Sequence, residues 1–451
     1  MEPTESHELT DFAIWRALIQ LVNTWDPRLT AWKASVGRGV LGGFAMTPDD
    51  GYLDLMRACE PIKHALRKAE RGSVDFAVRI ADDGRVSITL AGESTTHEVV
   101  RVPGINSAGT LLLVPDCDPA PARQKPAFFP DVRTSPSADP ELLENVLREW
   151  MPRAIGASAD ELSDIEERIG RPLPDELRAV LRVTKADYGT DWVVENAETE
   201  ALGGICLFGL DGIEAASIAD VRKGLPFATL TDVAAVTNLD SAVQGLVDPR
   251  DWLVIGDYGG GSGDWVAVDL APGPAGHIGQ LVIISHEAEI GAELLAESFT
   301  DLVVHGKAKD ASGDACTEPP AVVSLVAGSD MTIDAAATAA LQVLTIGGSA
   351  APTDLTPLVG LPRMRTLRAA PGTIAAPHVI GELDHLEYLE IGLAEWGTLL
   401  EADAVPSSLL AASVHGYGLP RADVDHVYDE LIRRWGGSPL TTRTIEGMLT
   451  A

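Results

Sequence analysis

The chain has 451 residues, too many for one ordinary hydrophobic core, so about two to four domains are expected. Its hydrophobic content of 45% and charged content of 22% are those of a globular protein. A formal net charge of −33 excludes the usual way of holding nucleic acid, which needs basic surface to displace counterions from phosphates.

The acid is unevenly placed. Residues 141–320 hold 12 Lys and Arg against 33 Asp and Glu, a net −21, and the two flanks share the remaining −12. Such a field favours solubility, and it also favours fast association with a basic partner. Composition alone leaves both readings open. Cys59, Cys117, Cys206 and Cys316 lie far apart with no CxxC pair, which is neither a zinc pattern nor a disulfide framework and fits a reducing compartment. The opening residues MEPTESHELTDF are acidic and polar, unlike a signal peptide, and no apolar run reaches the length of a membrane span. The expected location is the cytoplasm.

The first segment, 1–114, opens with Leu9, Phe12, Ile14, Leu18 and Leu21 at helical spacing. Thr47-Pro48 reads as the start of a second helix, continued by Tyr52, Leu55, Met56, Ile62 and Leu66. Strands are predicted over 74–80 and 85–90, joined by the hairpin turn Ala81-Asp82-Asp83-Gly84, and again over 97–102 and 110–114. This is a small α+β domain of no recognised family. Its Trp15, Trp25 and Trp32 either fill a core or anchor a partner.

Residues 115–138 are dense in Pro, Ala, Asp and Ser, and 306–320 are polar and small. Neither has periodicity, and both read as linkers. Between them, 139–305 begins with a helix over 141–151. A second helix carries Leu162, Ile165 and Ile169 and stops at Gly170; a third is entered through Leu173-Pro174-Asp175 and carries Leu177, Val180 and Leu181. A loop-rich region containing 202–210 follows. Then come three apolar runs, 252–255, 265–270 and 281–284, separated by a GGGSG break and a longer loop, which read as consecutive strands.

The last segment, 321–440, repeats itself. An LxxLxI frame starts at Leu341, Met364, Leu386 and Leu409, in steps of 23, 22 and 23 residues. A fixed period in this range is the signature of leucine-rich repeats, each offering one short strand to stack on the next. The usual Asn after each strand is replaced by Ser349, Gly372 and Ala394, so the solenoid is degenerate. Residues 322–327 offer an earlier turn, and 421–435 would make a capping C-terminal helix. Leucines recurring in a helical bundle are the alternative.

Catalytic motifs fail one by one. Gly259 to Gly263 lie between strands, with no following Lys-Ser/Thr, so they do not form a phosphate cradle. Ser262 is not in a nucleophile elbow. His286-Glu287 has no second His four residues on, and Asp257, Asp264 and Asp269 fit no EF-hand spacing. No catalytic residue, metal ligand set or cofactor site is assigned.

Two blocks of the middle segment resemble the SUKH superfamily, which includes fungal cell-wall-assembly regulators and bacterial immunity proteins against secreted toxins. One is ELSDIEERIGRPLPDELRAVLRVT at 161–184. The other spans 251–287, with Asp257, Gly259 to Gly261 and DWVAVDL at 264–270. The chain departs from many relatives after the second helix, where Lys185-Ala186-Asp187-Tyr188-Gly189 stands in place of Asn-Gly. The resemblance implies an α+β binding domain that is not an enzyme, docking on a basic toxin domain such as a nuclease and occluding its active site. Carboxylates would mimic phosphates and aromatic side chains would fill pockets. Trp192, Glu195, Asp257, Tyr258, Asp264 and Trp265 are the candidate partner-binding residues. Core packing of Trp252 and Trp265, and turn capping by Asp257, are the competing roles. The expectation is thus a multidomain α+β protein: an N-terminal domain, a SUKH-like domain and a degenerate leucine-rich-repeat solenoid. It would bind protein, without nucleic acid or membrane. A regulatory scaffold using the repeats, or an enzyme in the first segment, is the alternative.

Overall fold

The computed structural model describes residues 8–37, 41–42, 51–69, 73–94, 96–101, 110–186, 192–215, 227–247, 251–259, 263–288, 290–308, 319–328, 331–348, 352–416, 419 and 421–449. They form two compact units, Met1–Cys117 with Val323–Ala451, and Asp118–Val322. The first segment supplies β1 (Ala31–Gly37), β2 (Leu41–Gly42), β3 (Ser73–Ile80), β4 (Arg85–Glu93), β5 (Glu98–Arg101) and β6 (Thr110–Leu113). The middle supplies β7 (Ile205–Leu207), β8 (Trp252–Tyr258), β9 (Trp265–Asp269), β10 (Gln280–Ile284) and β11 (Glu293–Ala296). The last supplies β12 (Val322–Leu325), β13 (Val343–Ile346), β14 (Thr366–Ala369), β15 (Tyr388–Gly392), β16 (Ala411–His415) and β17 (Thr441–Met448).

In the first unit, the helix Phe12–Trp25 starts where the Asp11 carboxylate accepts the Ala13 N–H at 2.9 Å. Its buried stripe is Trp15, Leu18, Ile19 and Val22. The Trp15 indole donates to the Leu9 carbonyl at 2.9 Å and meets Phe76 edge-on at 4.7 Å, so this tryptophan is core. Trp25 and Trp32 pack half-buried against the same cluster. The helix Tyr52–Lys68 adds Leu55, Ile62 and Leu66 to it; the expected start at 47–48 lies outside the described residues. The sheet over these helices runs β17-β4-β3-β1-β2. Its β3–β4 turn is the expected one, closed by Gly84 N–H to Ala81 O at 2.9 Å with Gly84 at φ +79°. Its edge strand β17 comes from beyond the expected repeat segment, with Ile445 opposite Ile88 and buried in the core.

The second sheet of this unit runs β12-β13-β14-β15-β16-β6-β5. Strands β13 to β16 are parallel, and Leu344, Leu367, Leu389 and Ala412 lie side by side across them. The 23, 22 and 23 residue steps of the sequence are therefore one strand-to-strand step each. All twelve frame residues, from Leu341 to Val414, are buried in one core with the helix Arg421–Arg434, which contributes Val427, Tyr428, Leu431 and Ile432. Beyond β16 the sheet turns antiparallel: Leu112 of β6 pairs with Ala412. This corrects the expected division into separate domains at 1–114 and 321–440, because β5 and β6 of the first segment complete the sheet of the last, and β17, from beyond residue 440, completes that of the first. An open β16 edge would expose a row of unpaired N–H and C=O groups, and the β5–β6 hairpin covers it.

The second unit is an antiparallel meander, β11-β10-β9-β8-β7, with helices on one face. Asp139 caps the helix Pro140–Trp150 through the Leu142 N–H at 2.9 Å. Ser158 and Glu161 form a reciprocal capping box on the helix Ala159–Ile169, which ends at Gly170 with φ +72°. The helix Asp175–Val183 follows. Leu143, Leu147, Ile165, Leu177 and Val180 from these helices bury Ile255, Val266, Val268 and Leu281 of the sheet. The opposite sheet face carries a smaller core of Trp252, Val254, Ala267, Val282 and Ile284, as the strand alternation requires. Residues 118–138, expected as a linker, are fastened to this unit. The buried Gln244 side chain accepts the Ala127 N–H and donates to the Ala127 carbonyl, both at 2.9 Å, and the Ile278 N–H donates to Arg133 O at 3.0 Å. Residues 309–318 of the second expected linker lie outside the described residues.

Candidate functional site

One end of the meander gathers four of the six expected partner-binding residues. Asp257 and Tyr258 end β8, Asp264 immediately precedes β9, and Trp265 begins it. Asp257 pairs with Trp265 on one side and Cys206 on the other. The Tyr258 N–H donates to Asp264 O at 2.9 Å between the ends of β8 and β9, and the Gly259 N–H donates to Gly204 O at 3.0 Å, just before β7. Residues 260–262 at its tip lie outside the described residues.

Asp264 does more than flank the turn. Its Oδ1 accepts the His286 backbone N–H at 3.1 Å and lies 2.8 Å from His286 Nδ1. The hydrogen bonds from His286 hold the Asp264 carboxyl below the usual carboxylate range. This pair ties the end of β10 to the β8–β9 turn. No spacing rule links positions 22 residues apart, so the pairing of His286 with Asp264 was not foreseen. Trp265 is half-buried and meets Phe208 edge-to-face at 5.3 Å, while Trp252 is fully buried. Trp252 is thus core, whereas Trp265 packs with one side and leaves the other toward solvent. Trp192 and Glu195 stand in the first turns of the helix Trp192–Ala201, which leads through Gly203 and Gly204 into β7. Their side chains lie outside the described residues, and β7 itself falls in the stretch read as loop-rich.

The glycines here have separate reasons. The β8 register shifts between Val254 and Gly256, and a Cβ on Gly256 would stand 2.4 Å from the Cys206 carbonyl oxygen. Gly259 has open space around it but φ +72°. Gly256→Ala should therefore cost about 2 kcal/mol or more by forcing β7 and β8 apart, and Gly259→Ala only about 1 kcal/mol of backbone strain. Thermal unfolding of the two variants checks the order; equal losses would remove the close-approach argument.

Among the described residues no group of three His, Cys, Asp or Glu side chains is arranged to hold a metal ion, and no helix is long and apolar enough to cross a membrane. Burial pushes the Cys59 thiol up to about 12, which keeps it protonated and unreactive. The Asp118–Val322 unit as a whole carries 15 Lys and Arg against 36 Asp and Glu, a net −21.

Comparison with known proteins gives two findings. No curated protein matches the chain. Residues 156–304, which run from the capping box to the helix Phe299–Val303, match the SMI1 / KNR4 family (SUKH-1). This part of the chain is a SUKH domain.

Proposed function

We propose that the chain is a non-enzymatic, cytoplasmic immunity protein whose SUKH domain docks on a basic toxin domain and occludes its active site. The observation that carries this reading is the net −21 on the unit that holds the SUKH domain. Carboxylates at that density steer a basic partner and repel acidic ones. The β8–β9 end gathers Asp257, Tyr258, Asp264 and Trp265, aromatic side chains beside carboxylates, which is the chemistry of anchor-and-charge interfaces. A basic nuclease-like domain fits this chemistry, since its phosphate-binding cleft must be positive.

The test is binding of the full-length protein to basic secreted toxin domains across ionic strength. Affinity should fall at least about tenfold between about 50 mM and about 500 mM salt, and the double variant Asp257→Asn, Asp264→Asn should weaken it further. An affinity indifferent to salt would sink the electrostatic mechanism. The parallel strand ladder supports a second reading, a degenerate leucine-rich-repeat scaffold that recruits a client while the SUKH domain regulates it. In that case the double variant would leave client binding intact.

A further inference from the structure

The first unit buries a histidine where its two segments meet. His97 immediately precedes β5 and is 8% exposed. Its ring stacks on Trp435, with centroids 5.5 Å and planes 16° apart. Gly437 lies against the same ring, since a Cβ there would stand 2.4 Å from Nδ1 and Cε1. Trp435 and Gly437 follow the helix Arg421–Arg434, and Val99 of β5 packs with Trp435 and Leu440 on the core of the parallel ladder. Two more bonds join these segments. The Ser438 N–H donates to Thr96 Oγ1 at 2.8 Å, and the Ser94 hydroxyl donates to the Ser438 carbonyl at 2.9 Å. Residues 94–97 and 435–438 thus form a clasp between the β5–β6 hairpin and the end of the C-terminal helix.

The hydrogen bonds of the clasp suit a neutral imidazole. The Ser94 hydroxyl proton is committed to Ser438, and Ser94 Oγ already accepts the N–H of Thr96 at 3.1 Å and of His97 at 3.2 Å. Thr96 Oγ1 takes the Ser438 N–H and lies 3.0 Å from His97 Nδ1. The proton of the Thr96 hydroxyl then goes to Nδ1, which accepts it only as the bare nitrogen of a neutral ring. Protonation would place an N–H on Nδ1, reverse this bond and turn the hydroxyl proton away. Ser94 Oγ, 3.1 Å from Thr96 Oγ1, has no lone pair left to take it.

Among the described residues no carboxylate faces the ring to offset a charge, and Thr96 is its one hydrogen-bonding partner. The charged groups of the adjoining helix end are engaged elsewhere: Asp429 accepts the Leu440 N–H at 2.6 Å, Arg433 pairs with Glu430 at 2.7 Å, and Arg434 with Asp403 at 3.2 Å. Arg443 stands in β17; Glu93 of β4 and Glu98 and Arg101 of β5 have side chains outside the described residues. Burial lowers the His97 imidazole from its ordinary value of 6.5.

We propose that His97 is the pin of an acid-sensitive clasp: when neutral it locks residues 94–97 to 435–438 and holds the β5–β6 hairpin over the edge of β16, and when protonated it releases the hairpin. The open clasp leaves the ring in water, where it titrates at its ordinary value. Between that value and the lowered one, the open form holds a proton that the closed form lacks, so acid favours opening. Above pH 6.5 both forms are neutral and the clasp does not respond to pH. Opening uncovers a row of N–H and C=O groups on β16 for another strand to pair with. This device is independent of what the SUKH domain binds.

The test is hydrogen exchange of the full chain between about pH 7.5 and about pH 5, each rate divided by its intrinsic value at that pH. Opening of β5 and β6 should rise at least about fivefold as the pH falls, while the β3–β4 hairpin of the same unit stays level. His97→Gln, which offers Thr96 a carbonyl oxygen and takes no proton, should abolish the rise. An unchanged rise in this variant, or none in the parent, would overturn the proposal. A second measurement needs no variant. The His97 Cε1–H signal of the parent, followed by NMR, should titrate below the ordinary imidazole range. A midpoint within or above that range would mean that the closed clasp takes the proton as readily as the open one, and would overturn the proposal as well.

Discussion

Glu176→Ala should cost about 3 kcal/mol or more of the stability of the Asp118–Val322 unit. Glu176 lies in the first turn of the Asp175–Val183 helix and is 7% exposed. Its carboxylate accepts the N–H of Phe299 at 2.9 Å, the N–H of Thr300 at 3.1 Å and the Thr300 hydroxyl. These are the orphan donors that begin the helix Phe299–Val303, and Phe299 and Thr300 are themselves buried. Alanine would leave two backbone N–H groups dry and unpaired, at about 1–3 kcal/mol each. Glu176→Gln keeps one acceptor oxygen and the side-chain volume, and should lose roughly half as much. Denaturant unfolding, followed in the transition that hydrogen exchange assigns to residues of this unit, measures both. A loss below about 1 kcal/mol for the alanine variant would mean that water or a backbone shift satisfies these donors.

Stability of the same unit should fall as pH rises from about 4 to about 7, and Asp269 should be the cause. Burial pushes its carboxyl up to about 7, opposed in part by hydrogen bonds from Gln280 at 2.9 Å and the Ala271 N–H at 2.9 Å, and reinforced by the nearby charge of Asp251. The unfolded carboxyl titrates near 3.8. Between these two values the folded chain holds a proton that the unfolded chain has released, so raising the pH favours unfolding. The contribution is fully present below about pH 4, declines by up to about 1.4 kcal/mol per pH unit, and is gone above about pH 7, a total of about 4 kcal/mol. Asp269→Asn removes the titration, so the difference in melting temperature between parent and variant should shrink or reverse as pH rises. Parallel curves across this range would show that Asp269 does not titrate there. Taking the difference cancels the general repulsion of a chain at −33, which also varies with pH.

The local elements were legible because their signals are local. A capping box needs only Ser158 and Glu161 three residues apart, a helix stop needs a Gly170 at positive φ, and a hairpin needs the turn at Gly84. The 23-residue period was legible for a related reason: each step moves the chain one strand across the sheet, so Leu344, Leu367 and Leu389 come into register by counting. The concentration of acid and the two blocks of the SUKH domain needed no coordinates either.

What the tertiary structure decided are the pairings between residues far apart. Asp264 with His286, Glu176 with Thr300 and Gln244 with Ala127 are 22, 124 and 117 residues apart, separations that no periodicity encodes. The same holds for sheet edges. Nothing in the residues of β6 or β17 names β16 or β4 as partner; those choices follow from which edges the assembled sheets leave open. The two segments expected to fold apart therefore form one unit, and a segment expected to be a linker is fastened to the other. Helix, turn and repeat are set by neighbours along the chain, and the sequence by itself determined them. Edge pairing, buried polar contacts and the orientation of Trp15, Trp252 and Trp265 are set by what remains to be covered once those pieces meet, and only the folded chain decides that.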